Sequence, residues 1–353
     1  MKMKSNSFPL AICGQGAVTP NGVGLSSLLQ LDPWPIKKIS SPANSDRSFS
    51  VYSIHLQNDY WKRWQQEPRL RRASPLSFFM IEAAHQALAQ HPNFSREKIG
   101  MVAALHTGCL SYSRRFFQGT LEQGQRFASP ALFPETVFNS PLSHVASVLG
   151  VKGACYSVVG DETAWATALR VAATWLEVGE AEKVLVIGAE ELDPIACEAY
   201  HLAGWLKKGW IPAEGAGALL LKRASAVDKI CLTKIYEGFP YRNPQQAERL
   251  AFHLFQSCPT HNQVLTSAKK NWFKNIEAKC CEHVKTLPEC HTYAGEGFAA
   301  SAAWHSLRAI NQLDKKDSSI FQPIWGLNHQ ISALEFALNC DKLGNASSQS
   351  RRT

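Results

Sequence analysis

The chain lacks several features that would place it quickly. Its 353 residues contain no run of about 18 apolar side chains, so no membrane-spanning helix is expected. The opening segment 1–7 is basic and polar and the apolar run after it is short, a pattern that fits neither a secretory signal nor an anchor. Ten cysteines are present, but none forms a C-x2-C pair. The cluster Cys280-Cys281, His283, Cys290, His291 has the wrong spacing for a zinc site, and no metal or other cofactor is expected. Cys13, Cys109, Cys155, Cys197 and Cys231 sit in apolar contexts, where free cysteine behaves as a small hydrophobe. Gly14-Gln15-Gly16 lacks the third glycine of a dinucleotide fingerprint, and Pro20 interrupts the segment where a helix would have to open. No nucleic-acid-binding motif occurs. A reducing cytoplasm is the compartment these features imply.

The composition is that of a globular protein, 45% hydrophobic and 19% charged, with a net charge of +8. The basic residues are scattered in short groups such as Lys37-Lys38 and Arg69 to Arg72. They read either as solvated surface or as a field that steers an acidic partner.

The most telling segment runs from Ala154 to Trp165. It reads as a buried strand, a sharp turn at Gly160-Asp161-Glu162 and the start of a helix that continues to Val178. A helix N-terminus of this kind favours a reactive thiolate. Here the position holds Glu162, which forms no stable acyl thioester. A second strand, Lys183 to Glu191, completes a β-α-β unit. Further strands are expected at 10–14, 99–105, 216–222, 229–238, 263–266 and 331–339. Helices are expected at 76–90, 141–149, 195–205, 247–258, 273–281 and 295–312. Gly14 to Pro20 reads as a glycine-rich turn and 30–68 as irregular chain. Strands alternating with helices, twice over, argue for an α/β fold with two related halves. The halves are 1–222 and 223–340, followed by a polar tail at 341–353 that reads as disordered.

These residues resemble the β-ketoacyl synthases of the thiolase superfamily. The resemblance rests on Gly14 to Gly22, Arg71-Arg72-Ala73-Ser74, Phe133 to Asn139, Gly150 to Gly153, the 154–165 turn, Ile187 to Glu190 and Glu214 to Gly217, all in family order. It implies a thiolase-like fold of layered α-β-α-β-α type, and a catalytic set of one Cys, two His and one Lys. Carried over position by position, that set is altered throughout. The Cys falls on Glu162, the first His near Thr266, the second His on Glu296 and the Lys on His291. The flexible gate before the last strand is replaced by Pro323 to Asn328, with Trp325 and Asn328 flanking a surviving Gly326. Cys155, His261 and His291 are weak substitutes for the lost groups.

The resemblance thus implies a non-catalytic, chain-length-factor-like subunit. Its partners would be an active ketosynthase, in a heterodimer, and an acyl carrier protein, in fatty-acid, polyketide or aryl-polyene-like elongation. Leu132, Phe133 and Phe138 would then lie at the interface near the end of the partner's acyl tunnel. Trp165 would fill this chain's own pocket. The competing expectation is a decarboxylase or hydrolase of carrier-bound thioesters working through Glu162.

Overall fold

The computed structural model describes residues 8–30, 32–57, 61–92, 95–208, 210–257, 263–268, 271–287, 295–313 and 318–338. His261, His291 and the 341–353 tail lie outside them. In chain order the first half holds β1 (Leu10–Thr19), β2 (Gly22–Val23), α1 (Leu25–Leu29), β3 (Lys37–Ser40), β4 (Ser48–Val51), α2 (Lys62–Gln65), α3 (Pro75–Ala89), β5 (Ile99–Leu105) and α4 (Leu110–Gln123). Then come α5 (Ser140–Leu149), β6 (Cys155–Val159), α6 (Ala164–Val178), β7 (Lys183–Glu190), α7 (Pro194–Leu202) and β8 (Gly215–Arg223). The second half holds β9 (Ile230–Pro240), α8 (Pro244–Gln256), β10 (Gln263–Leu265), α9 (Asn271–Cys280), β11 (Lys285–Leu287), α10 (Ala299–Asn311), β12 (Ser319–Gly326) and β13 (Gln330–Leu338).

The strands run in the order β11-β10-β12-β13-β9-β1-β8-β7-β5-β6. This path is two five-stranded sheets joined at one corner, where β1 and β9 pair only through Leu10↔Leu232 and Ala11↔Cys231. Helices α6 and α10 pack against strands of both sheets and form the middle layer. Helix α3 covers β1, β8 and β7 from outside, and α8 packs on β13 from the other flank. The result is the layered α-β-α-β-α sandwich expected of a thiolase-like fold.

Side-chain size explains the tight middle layer. Helix α10 is buried from Ala299 to Ile310 and opens with small residues. A Cβ on Gly217 would sit 2.8 Å from the Ala303 Cβ, so the helix can lie on the sheet only because both surfaces are nearly flat there. The same logic corrects the first strand. Gly14 and Gly16 do not make a turn; β1 runs straight through them to Thr19. A Cβ on either would strike the backbone carbonyl of Ala87 or Ala83, so these glycines admit α3. Between 30 and 68, read as irregular, the chain forms the β3–β4 hairpin and the short helix α2.

Two further readings change. Strand β6 is not buried: it ends the sheet, with Tyr156 and Val159 each about half exposed. Cys231, read as a free buried thiol, is disulfide-bonded. No helix among the described residues is long and apolar enough to cross a membrane.

Candidate functional site

The 160–163 turn brings two acids to the N-terminus of α6. The Asp161 carboxylate accepts from Thr163 N at 2.9 Å and Thr163 Oγ1 at 2.6 Å, closing the turn before the helix begins. Its other oxygen accepts from Asn328 N at 2.7 Å. Next to it, Glu162 Oε2 accepts from Leu327 N at 3.0 Å. The two carboxylates therefore grip successive backbone amides of the segment that comes after β12. Gly326 is required at this contact, because a Cβ there would lie 2.5 Å from Asp161 Oδ2. The segment expected to replace a mobile gate is a strand up to Gly326 and then a pinned turn. His329, in that turn, has φ of 63° and stacks on Tyr241, whose backbone N–H donates to the His329 carbonyl at 2.9 Å.

Glu296 reaches the same place from the loop before α10. Both carboxyl groups line a cavity of about 20 Å³, together with Trp210, Ser267, Ser301, His305, Trp325 and Leu327. That volume holds a water molecule and no more. Glu296 Oε1 accepts from Phe298 N at 2.8 Å. Burial, and after it the charges of Glu296 and Asp161, holds the Glu162 carboxyl well above the usual carboxylate range. Chemically the pair can keep and exchange a proton, but it offers no thiolate and no group that an acyl thioester can acylate durably.

Trp165 lies three residues past Glu162, on the first turn of α6, and is fully buried. Its indole Nε1 donates to Ser306 Oγ at 2.9 Å, and Ser306 hydrogen-bonds Ala302 O, whose residue lines the cavity. The indole therefore fills the space behind the cavity wall.

The remaining expected positions scatter. Thr266 does not line the cavity; its neighbour Ser267 does, while Thr266 faces a separate hollow with Lys274, Glu277 and Cys281. Trp325 is a cavity wall tied by its Nε1 to Glu277 at 2.9 Å and stacked on Phe273. Leu132, Phe133 and Phe138 lie away from the cavity, at the surface. Phe133 and Phe138 are exposed, Leu132 is half-buried, and Phe133 touches the Phe116 ring at 5.6 Å. With Val137 and the exposed side of β6 they add to the apolar surface of the molecule, as do Phe117 and Leu121 of α4.

Two histidines join the site without any motif to announce them. His305 lines the cavity from α10. His106, at the end of β5, stacks on Phe298 at 3.9 Å and contacts Gly160 O through Nδ1 at 3.0 Å; burial holds its pKa below the usual value. A second tier of buried acids braces the surrounding loops. Glu190 accepts from His106 N, Thr107 N and Thr107 Oγ1; Glu191 from Ser111 and Leu76; Glu214 from Ile54 N and Leu192 N. Burial pushes Glu190 up to about 8, and Glu191 and Glu214 up to about 7.

The fold, with this site at the turn into a helix beneath a sheet end, is of the thiolase-like α/β type. The chain belongs to the β-ketoacyl synthase family: residues 51–226 match its N-terminal domain. Solved structures agree on the fold. The ishigamide ketosynthase/chain length factor is similar with a TM-score of 0.76 and 16% identity, over 94% of this chain and 99% of that one. A type II PKS acyl-carrier protein in complex with its ketosynthase bound to the hexaketide gives 0.75 and 15%, over 94% and 99%. A ketosynthase in complex with its chain length factor from Xenorhabdus doucetiae gives 0.71 and 12%, over 94% and 98%. No curated protein matches the chain.

Proposed function

We propose that this chain is a non-catalytic, chain-length-factor-like subunit that pairs with an active β-ketoacyl synthase and shapes its acyl tunnel. The observation that supports the reading is the filled site: Glu162, the position that the sequence resemblance assigns to the family's nucleophile, holds Leu327 N, and about 20 Å³ is left beside it. An acyl chain needs a tunnel, and Trp165 occupies the space behind the cavity wall. The half-exposed edge strand β6 and the apolar side chains of Phe133, Val137 and Phe138 support a protein–protein interface. A strand that ends the sheet among the described residues and carries half-exposed apolar side chains is a surface that a related subunit can cover. Leu132 and Phe133 are then the residues that meet the partner's tunnel. The acidic carrier protein would dock on the basic exterior, and the pathway would be fatty-acid, polyketide or aryl-polyene-like elongation.

His305 beside Glu162 favours a second reading, general-base attack of water on a carrier-bound thioester. A cavity of one water has no room for the thioester, which places this reading second.

The test is co-expression with an active β-ketoacyl synthase from the same source, then native mass and an elongation assay. The expected result is a 1:1 complex whose product length changes on Phe133→Ala or Leu132→Ala. A stable monomer that ignores the ketosynthase would sink the subunit reading. Turnover of malonyl-carrier protein by the pure chain, lost on Glu162→Ala, would establish the second one.

A further inference from the structure

The segment that leads into α5 is built inside out. From Ala131 to Asn139 every side chain but one is at least partly exposed, and the exception is an acid. Glu135 is 7% exposed, whereas Phe133 in the same turn is 56% exposed. A carboxyl group leaves water only where donors meet it. Here Ser140 Oγ donates to Glu135 Oε2 at 3.1 Å. With its proton on Nε2, His144 donates to the same carboxyl group, 2.9 Å from Oε2 and 3.1 Å from Oε1. Both donors belong to α5, whose Leu142, Val145 and Leu149 are set in the apolar core with residues of α3 and β5, so the base is firm. Within the turn, Glu135 N donates to Leu132 O at 3.0 Å and Thr136 Oγ1 to Phe133 O at 2.7 Å. The exposed rings lean on neighbouring chain. Phe133 lies 5.6 Å from Phe116, and Phe138 sits on Gly108, where a Cβ would come within 2.6 Å of its ring.

We propose that Glu135 is a positioning residue for the side chains at the tunnel end: its hydrogen bonds to Ser140 and His144 fix how far Leu132 and Phe133 reach, and through them the length of the product. This inference rests on the subunit function proposed above and adds what sets the position of the residues that meet the partner. Apolar contact has no preferred direction, so a turn held by it alone can slide across its support. Hydrogen bonds hold within a narrow range of distance and angle. The anchor lies two residues from Phe133 and three from Leu132, and the Glu135 N–H bond to Leu132 O closes the turn between them. A shift of the anchor therefore passes to both side chains. The outward display of the apolar side chains follows from the same arrangement, because the turn is drawn inward by its acid and nothing apolar in it is needed for the core.

The test has two parts, the first without a partner. Amide hydrogen exchange of the full chain is compared for wild type, Glu135→Gln and Glu135→Ala. Gln keeps a hydrogen-bonding group for each α5 side chain, and Ala keeps none. Peptides carrying Leu132, Phe133 and Glu135 should lose about tenfold or more of their protection in Glu135→Ala and stay within about twofold of wild type in Glu135→Gln, while β7 is unchanged in both. Unchanged exchange in Glu135→Ala would overturn the anchor. In the second part each variant is paired with an active β-ketoacyl synthase from the same source, and the ratio of product lengths is read. Glu135→Ala should shift that ratio in the direction of Phe133→Ala although Phe133 is still present, and Glu135→Gln should restore it. Lost stability alone would lower the total product and leave the ratio as it is. A wild-type ratio from the Glu135→Ala complex, where Phe133→Ala does shift it, would overturn the positioning role and leave the subunit function standing. No complex with the wild-type chain, or no shift from Leu132→Ala and Phe133→Ala, would sink the subunit function and the positioning role with it. His144→Ala, which keeps the Ser140 bond, serves in both parts if Glu135→Ala fails to fold.

Discussion

Replacing Trp165 by Ala tests how this chain's own pocket is closed. Trp165 is fully buried in the core between the two sheets, and its indole N–H is bonded to Ser306 Oγ at 2.9 Å. Truncating a buried Trp to Ala costs about 3–5 kcal/mol through lost transfer energy and the cavity left behind. The lost hydrogen bond adds little, because Ser306 Oγ still has Gln322 Oε1 at 2.8 Å and Ala302 O at 3.1 Å, so no polar atom is orphaned. The small residues of α10 give the hole few side chains that could swing in, which places the cost toward the upper end. For a chain of this size, with a urea slope of about 3 kcal/mol per molar, the midpoint should drop by about 1.3–1.7 M with the slope unchanged. An apolar cavity of this kind stays dry and takes small aromatic ligands. Indole at about 100 times its dissociation constant should then return about 2.7 kcal/mol to the variant and nothing to wild type. A midpoint shift under about 0.3 M, or no rescue by indole, would refute the claim that the Trp165 ring is what fills this space.

Other outcomes rest on single contacts. Glu162→Ala leaves Leu327 N–H buried without its acceptor and should lose about 1–3 kcal/mol in urea titration, whereas Glu162→Gln retains an acceptor, cannot ionise at a site where burial disfavours charge, and should match or exceed wild type. Gly326→Ala places a Cβ 2.5 Å from Asp161 Oδ2 and should cost about 1–3 kcal/mol by the same titration. For Glu190, Glu191 and Glu214 the folded pKa lies above the unfolded one, so folding favours the protonated form. Their contribution is full below about pH 4.5 and is lost as pH rises through about 7–8; the urea midpoint should therefore be higher at pH 5.5 than at pH 8.5, and a midpoint that rises with pH would contradict the assignment. Tyr156→Glu on the exposed face of β6 should leave the isolated chain's stability within about 0.5 kcal/mol and weaken ketosynthase binding at least about tenfold, read by native mass or calorimetry.

Much of the architecture is legible from periodicity and motif order, because strands such as Ile99–Leu105 are bounded by clear breakers and recur between helices. The misreadings have physical causes. Gly14 and Gly16 look like a turn in one dimension; only the approach of α3 shows that the missing Cβ atoms serve packing. Helix α4 escapes a reading of the sequence because polar side chains dominate Leu110–Gln123 and no residue in it is buried. Strand β6 has the apolar composition of a buried strand but lies at the sheet's end, and composition does not tell a neighbour in the same chain from one in another. In the site, Glu162 and Glu296 stand out because each falls in a segment that the sequence resemblance sets against a family motif. His106 and His305 carry no local pattern, and only the convergence of β5, α6 and α10 brings them to the carboxyl pair.

The exposed face of β6 has a consequence for the life of the chain after synthesis. Its free edge offers backbone donors and acceptors beside half-exposed Tyr156 and Val159. An uncovered edge of this kind templates association with whatever strand it meets first, and natural sheets guard against it with charge, proline or a bulge. Between Cys155 and Val159 there is neither charge nor proline. If the proposed ketosynthase partner covers that edge, copies made in excess of it are candidates for aggregation and proteolysis, and the amount of the chain that persists follows the supply of that partner rather than its own rate of synthesis.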